Sequence, residues 1–170
     1  MKIKVDLITG IILLFVSIFV LLSPVFDIND MKIILEILTI IYTISNLGRF
    51  ILNKDSKDYE GLFTGIISLI LFISLFFINL NNSLTLSLLI FAFVFAMSFI
   101  RLKKADYYHD RKNKLWILEV TTLIIFIISG LLASISILLT NDGNVFMIGF
   151  LFFINGFIEI IDPIVNYIKK

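Results

Sequence analysis

The sequence predicts an all-α integral membrane protein, a six-helix bundle built from three parallel helical-hairpin repeats. Three observations predict this fold: the share of hydrophobic residues, six long apolar runs, and basic residues confined to alternate connections. Of the 170 residues, 59% are hydrophobic, whereas a soluble domain is about 45–50% apolar. A soluble fold of this size could not bury the excess, but lipid can cover it.

Each apolar run approaches the length of a membrane span, which needs about 20 residues to cross about 30 Å of hydrocarbon. The runs cover residues 7–22, 33–52, 62–78, 84–100, 115–139 and 145–161. Helices are expected because backbone groups in lipid must satisfy their own hydrogen bonds. The runs also lack the alternating polarity of a β-barrel. Residues 1–170 are therefore expected to form a single transmembrane domain.

The first run follows Lys2 and Lys4 and so has the charge pattern of a signal peptide. Its thirteen Leu, Ile, Val and Phe residues favour membrane insertion by roughly 4 to 8 kcal/mol. The sequence Ser-Pro-Val-Phe-Asp that follows at 23–27 offers no small-x-small cleavage site. We therefore expect a retained span.

The connections differ sharply in their content of basic residues. All of the fourteen Lys and Arg residues except Lys32 fall near the two termini or around the connections after the second and fourth runs. The positive-inside rule assigns such segments to the cytoplasm. The chain is therefore expected to cross the cell membrane several times with both termini in the cytoplasm, which agrees with an even number of spans.

The three hairpins resemble one another. Thr-Gly-Ile-Ile occurs at 9–12 and again at 64–67, and Thr-Leu-Ile-Ile occurs at 122–125. One shift aligns both helices of the second and third hairpins, and it pairs Thr64 with Thr122, Ser98 with Gly156, and Arg101 with Glu159. The pattern indicates duplication. All hairpins enter and leave on one side, so the repeats are parallel, unlike the inverted repeats of many transporters.

These hairpins, with Thr-Gly-Ile-Ile openings, Ser-Pro or Asn-Leu-Asn-Asn turns and a small residue late in each second helix, resemble the HdeD-like acid-resistance membrane proteins. The resemblance covers nearly the whole chain. It implies a small multi-pass membrane protein with a role in the envelope or acid-stress response. It implies no catalytic residues.

Small residues recur four positions apart within the runs, at Gly61 and Gly65, Ala92 and Ala96, and Gly130 and Ser134. Such steps let two helix backbones approach closely. We expect them to pack helices within one chain. Self-association is the other use of such steps, so a homo-oligomer stays open.

Charged residues also lie within or beside the runs, each near a run's end: Glu36, Arg49, Arg101, Glu119, Glu159 and Asp162. A charge at the bilayer centre costs about 2.5–3.5 kcal/mol, whereas a long side chain near the end of a span can reach the headgroups. Snorkelling is the simpler interpretation. The alternative is an ionic cluster, because Arg49, Arg101 and Glu159 occupy matching repeat positions and Asp162 lies one turn beyond. Such a cluster would lock the bundle or respond to protons.

Two further groups of polar residues are candidates for binding. Asn46 and Asn155 lie deeper in their runs, where Asn bonds across helices for about 1 kcal/mol, and a polar pore lining is the alternative. The segment after the fourth run is basic, and its cations are expected to contact anionic lipid at about 1 kcal/mol each. These cations are Lys103, Lys104, Arg111, Lys112 and Lys114.

The composition excludes several kinds of chemistry. The chain has no cysteine and one histidine, which excludes thiolate catalysis and cysteine-ligated metals. No Gly-rich phosphate loop or HExxH motif occurs, and a net charge of +1 gives no reason to expect nucleic acid. We expect a non-enzymatic protein whose partner is the lipid bilayer, with no cofactor and no identified small-molecule substrate. The alternative is a transporter or channel for a small solute, which would use the polar faces around Asn46, Asn155 and Glu159.

Overall fold

The computed structural model describes residues 2–26, 30–52, 59–77, 82–139 and 144–168. Within these ranges the chain forms six α-helices, and a short 3-10 helix, Ser23–Phe26, follows the first. The α-helices are α1 Lys2–Leu22, α2 Met31–Leu52, α3 Tyr59–Phe77, α4 Ser83–Asp110, α5 Leu115–Leu139 and α6 Asn144–Ile168. The predicted all-α six-helix fold is confirmed.

The outer surface of the bundle is apolar. All six helices are long and apolar enough to cross a membrane. Large side chains such as Phe19, Ile70, Phe95 and Ile128 are each more than half exposed. A contiguous apolar surface of this kind marks a membrane or protein interface. The chain is therefore a multi-pass membrane protein.

Helix α4 is longer than the run that predicts it. The apolar run ends at residue 100, but the helix continues to Asp110 and has 28 residues. At 1.5 Å per residue it is about 42 Å long, which exceeds the hydrocarbon thickness by about 12 Å. The Asn82 side chain caps its first turn by accepting from the backbone N–H groups of Leu84 and Thr85. Most of the segment interpreted as a connection is thus helical.

The closest helix pairs are not the hairpins. The most extensive contacts join α4 to α5, α1 to α6, and α2 to α3, while the two helices within each hairpin touch over less area. Each close pair therefore combines the second helix of one hairpin with the first helix of the next. The α1–α6 pair closes the ring.

Glycines lie at all three close pairs. A Cβ atom on Gly65 would lie 2.6 Å from Leu47 Cδ2 of α2, and one on Gly130 would lie 2.5 Å from Val94 Cγ1 of α4. A Cβ on Gly10 would lie 2.6 Å from Ile160 Cγ1 of α6. Such separations are too short for a real methyl group, so the close approach of these backbones depends on glycine.

The small residues spaced four positions apart lie partly at close helix contacts and partly in a groove on the outer surface. Gly61 also faces α2, because its Cβ would lie 3.0 Å from the Asn46 carbonyl oxygen. Ser134 is buried against α4, where it exchanges hydrogen bonds with Ser87. Ala92 and Ala96 line an outward groove between α3 and α4, the two ring neighbours that pack least extensively. Their role in packing these helices stays a prediction.

The inner faces of α2, α4 and α6 form a layered interior. At one end the layer is aliphatic, with Leu38, Ile90 and Ile148 fully buried. A buried aromatic layer follows, in which the ring of Phe152 lies 6.1 Å from that of Tyr42 and 6.0 Å from that of Phe93. The opposite end carries the basic residues of the helix ends and the α4–α5 turn, and is called the basic end below.

Candidate functional site

Each inner helix buries a charged side chain at the basic end. Arg49 follows the buried Asn46 by three residues on α2, and Glu159 follows the buried Asn155 by four on α6. Arg101 stands at the equivalent place on α4. Residues three or four apart share a helix face. The helix faces that bury the aromatic and amide side chains therefore also direct these three charged side chains into the bundle.

Two arginines hold the carboxylate of Glu159. The Nη1 atom of Arg49 donates a hydrogen bond to Glu159 Oε2 at 2.8 Å. The Nη2 atom of Arg101 lies 3.6 Å from Glu159 Oε1 and donates to Asn155 Oδ1 at 2.5 Å. Charge-assisted hydrogen bonds are about twice as strong as neutral ones. Glu159 therefore ties α6 to α2 and α4.

Lys104 and Glu60 extend the contacts to α3 and α5. The Nζ atom of Lys104 lies 3.2 Å from Glu60 Oε1 and 3.3 Å from Glu119 Oε1. Arg49 Nη2 lies 3.7 Å from Glu60 Oε2. Glu60 begins α3 and Glu119 lies in the first half of α5, so the ion pairs cross four helices.

Together these residues form one chain of alternating charge, called the ionic network below. In order of contact its members are Glu119, Lys104, Glu60, Arg49, Glu159 and Arg101. Three cations and three carboxylates balance to zero. Taking one charge out of water costs several kcal/mol, which only good pairing offsets. The alternation gives every member at least one opposite charge on a different helix.

Arg101 has a further contact with an aromatic ring. Its Cζ atom lies 4.9 Å from the centroid of the Phe126 ring on α5, a distance at which a guanidinium interacts with the ring face. Phe126 is fully buried. The guanidinium of Arg101 is thus surrounded by α5 and α6 and does not extend to a headgroup region.

The structure brings together three of the four residues named for the ionic cluster: Arg49, Arg101 and Glu159. The side chain of the fourth, Asp162, lies outside the described residues. The expectation that these side chains reach the headgroups is wrong for these three residues and for Glu119, because their side chains are only 1–8% exposed. Burial inside a bundle replaces headgroup contact when partner charges are available there.

Lys104 and Glu60 were not recognised from the sequence as members of a cluster. Lys104 was expected to contact lipid, but it is mostly buried against two carboxylates. The missing information was the continuation of α4, since only an unbroken helix places Lys104 one turn beyond Arg101 on nearly the same face. For Glu60 the sequence offered only one indication, its position next to Gly61, which was expected to pack against another helix.

The amide layer lies between the aromatic layer and the ionic network. Asn46 Nδ2 donates to the Tyr42 carbonyl of its own helix at 2.9 Å, whereas Asn155 accepts across helices from Arg101. Within the part of the chain that the structure describes, Asn46 Oδ1 has no hydrogen-bond partner. The Tyr42 hydroxyl and the Asn155 side chain lie near each other, but Tyr42 Oη and Asn155 Nδ2 form no well-aligned hydrogen bond. Buried polar atoms are nearly always satisfied, often by ordered water, so this layer suits water or another small polar molecule.

The other basic residues lie on the surface. Lys103 is 81% exposed and lies 3.7 Å from Asp106, and the guanidinium of Arg111 stacks over the Tyr107 ring at 4.1 Å. The remaining two, Lys112 and Lys114, line a concavity at the α4–α5 turn. These four positions remain accessible to lipid headgroups.

Comparison of the chain with protein-family models, with curated proteins and with solved structures finds no match. The geometry of the ionic network is therefore the principal observation on which a function can be based. Among the described residues, no group of three His, Cys, Asp or Glu side chains is arranged to hold a metal ion.

Proposed function

We propose that this chain is a non-enzymatic membrane protein of the HdeD-like type that acts in the envelope or acid-stress response. The observation that carries the proposal is the ionic network, in which three buried carboxylates balance three buried cations. This balance holds only while the carboxylates are ionised. A carboxylate beside a cation stays ionised at lower pH than a free one, so the network would keep its balance in acid and hold the basic end together.

The distribution of charge supports an orientation for this response. The exposed cations Lys103, Arg111, Lys112 and Lys114 lie at the same end of the bundle as the network. Basic residues flanking spans face the cytoplasm. The protein would thus lie in the cell membrane with both termini inside, and the network would hold the cytoplasmic end of the bundle together when the cytoplasm acidifies.

The interior hydroxyl groups support a role without catalysis. Ser17 and Thr39 donate to backbone carbonyls of their own helices, and Ser87 donates to the carbonyl of Ser134. A nucleophilic hydroxyl needs a base within hydrogen-bond reach. The chain's one histidine, His109, is 67% exposed at the end of α4, about six turns beyond Ser87 on the same helix.

Survival of acid by the native host tests the proposal. A strain lacking the gene should lose viability in acid, and the intact gene should restore it. Glu159→Gln keeps the shape of the side chain but removes one charge, so it should not restore survival at equal protein levels. Glu36→Gln is the matched control, because Glu36 lies at the other end of α2 and contacts Lys32 instead.

Two results would reject the proposal in different ways. If the deletion strain survives acid as well as its parent, the stress role is rejected. If Glu159→Gln restores survival fully, the stress role stands but the ionic network has no part in it.

A second candidate function is a channel or transporter for a small polar solute. The observation that favours it is the amide layer, where Tyr42, Asn46 and Asn155 each leave a buried polar atom without a well-aligned hydrogen bond. The aromatic layer opposes it, since Phe152 packs against Tyr42 and Phe93 across the path. Solute uptake by proteoliposomes that exceeds uptake by empty vesicles, and that rises with Phe152→Ala, would favour the channel.

A further inference from the structure

The outer face of the α4–α5 pair has a long apolar groove. Its volume is about 420 Å³, and it is lined by α4 from Phe91 to Leu102 and by Leu123, Ile127 and Leu131 of α5. Ser98 is the one polar residue in the lining, and its hydroxyl donates to the Val94 carbonyl at 2.7 Å. The groove therefore offers a ligand only apolar contact.

A second concavity lies at the basic end of the same helix pair. It has a volume of about 510 Å³ and is lined by His109, Asp110, Lys112, Lys114 and Trp116. The rings of His109 and Trp116 meet edge to face at 5.4 Å. Lys112 has a φ of 52°, the left-handed conformation in which many helices end, and its N–H donates to the His109 carbonyl at 2.9 Å.

The groove and the concavity lie on one line. Leu102 and His109 are seven residues apart on α4, and Trp116 and Leu123 are seven apart on α5. Seven residues are two helical turns, so each pair shares a face with a separation of about 10 Å. One elongated molecule can therefore contact both.

We propose that an anionic glycerophospholipid occupies this seam. One acyl chain lies in the groove, and the phosphate lies against Lys112 and Lys114. Trp116 sits at the level of the headgroups, where indole rings concentrate. The cationic headgroup of a zwitterionic lipid would meet two lysines, whereas an additional negative charge complements them. Asp110 weakens this field only in part, because it is the one carboxylate of the lining.

A second copy of the chain fits the seam less well. In a two-fold dimer the same surface of each subunit meets its counterpart. A dimer through this seam would therefore bring Lys112 and Lys114 of both copies towards each other, and like charges at an interface are unfavourable.

Thermal unfolding of the purified full-length chain in neutral detergent tests the proposal. Phosphatidylglycerol at a hundredfold excess over its dissociation constant should raise Tm by about 5–10 °C for a chain of this size. Phosphatidylcholine with the same acyl chains should raise it less, and inorganic phosphate should leave it unchanged. An equal effect of both lipids would overturn the headgroup assignment, and an equal effect of phosphate would replace the lipid by a free anion.

Variants separate the two parts of the site. Lys112→Gln with Lys114→Gln should weaken binding of phosphatidylglycerol about 30-fold, or about fivefold for each basic residue. Both lysines are exposed, so this variant should fold normally. Ser98→Phe fills the groove and should weaken binding of phosphatidylglycerol although both lysines are unchanged. Lys103→Gln, an exposed change on the same helix outside the concavity, should have no effect.

Cross-linking identifies the competing occupant. The chain has no cysteine, so Phe95→Cys places a single thiol in the groove. This variant should remain monomeric when it is oxidised in bilayers. An efficient disulfide-linked dimer that forms at low protein density would show that a second copy occupies the seam and would overturn the lipid assignment.

Discussion

The two ends of the bundle interior are built by the same three helices from opposite chemistry. At one end, Leu38, Ile90 and Ile148 fill the space between α2, α4 and α6 without a polar atom. At the other end, the same helix faces bury Arg49, Arg101 and Glu159. In this protein a buried position on these helices can therefore hold either an apolar or a charged side chain. The inner stripe of each helix changes character within a few turns.

The comparison teaches where stability is sensitive to single changes. Lipid is as apolar as leucine, so the aliphatic end is stabilised mainly by packing, in many small contributions. The ionic end depends on matched charges, and the loss of one partner leaves another charge buried and unpaired. Substitutions at the basic end should therefore have the larger effects.

The largest expected effect is all-or-none and concerns which end faces the cytoplasm. A single cysteine at Asn82, in the connection before α4, should react with an impermeant thiol reagent added to intact cells. A cysteine at the exposed Lys103 should react only after permeabilisation. Reaction of the Lys103 position in intact cells would reverse the orientation that the basic residues predict.

Charge reversal in the ionic network should have the next largest effect. Arg101→Glu would place two carboxylates together beside Asn155 and should lower the free energy of unfolding by about 3–5 kcal/mol. Adding Glu159→Arg should recover part of the loss, because the two positions are coupled. Recovery should be incomplete, since the reversed residue 159 would then face Arg49.

Thermal unfolding in detergent measures the stability of the two single variants and the double variant. Lys103→Glu is the matched control, because Lys103 is exposed on the same helix. Strictly additive losses in the double variant would mean that Arg101 and Glu159 do not interact. The contrast between the two ends of the bundle would then lose its electrostatic basis.

An intermediate effect is expected where helix backbones meet. Gly65→Leu would drive a side chain into Leu47 of α2 and should cost about 1–3 kcal/mol, the usual range for overpacking. Gly48→Leu is the control, because a Cβ atom at Gly48 meets nothing within 4 Å. Equal losses of stability at both positions would show that close approach of α2 and α3 is not what the glycine provides.

The smallest expected effect concerns a hydrogen bond between two neutral side chains. Thr43 Oγ1 lies 2.9 Å from Ser68 Oγ of α3 and 2.7 Å from the Thr39 carbonyl of its own helix, so its one proton is shared between them. Interhelical hydrogen bonds in membrane proteins contribute about 0.6 kcal/mol on average. Thr43→Val should cost about this amount. Thr121→Val, an exposed position whose hydroxyl bonds only its own helix, should cost less. A loss at Thr43 as large as that of Arg101→Glu would remove the distinction between neutral and ionic contacts.

The sequence by itself determined the fold class and the number of helices. The reason is that the length of an apolar run is set by the thickness of a bilayer, which does not depend on how helices pack. The sequence also limited the functions, since a chain without cysteine has no thiolate chemistry. It placed Arg49, Arg101 and Glu159 at matching positions, but a residue near the end of a span is compatible with both snorkelling and pairing.

Only the tertiary structure decided between those interpretations, and it added Glu60, Lys104 and Glu119 to the cluster. Partners on different helices depend on the rotation of each helix about its axis and on which helices are neighbours. Local sequence specifies neither of these. The close pairs join helices of different hairpins because the glycine-bearing faces of α1, α3 and α5 fit the preceding hairpin, or α6 in the case of α1. The fit depends on the shapes of both helix faces, so the sequence of one helix alone does not specify it.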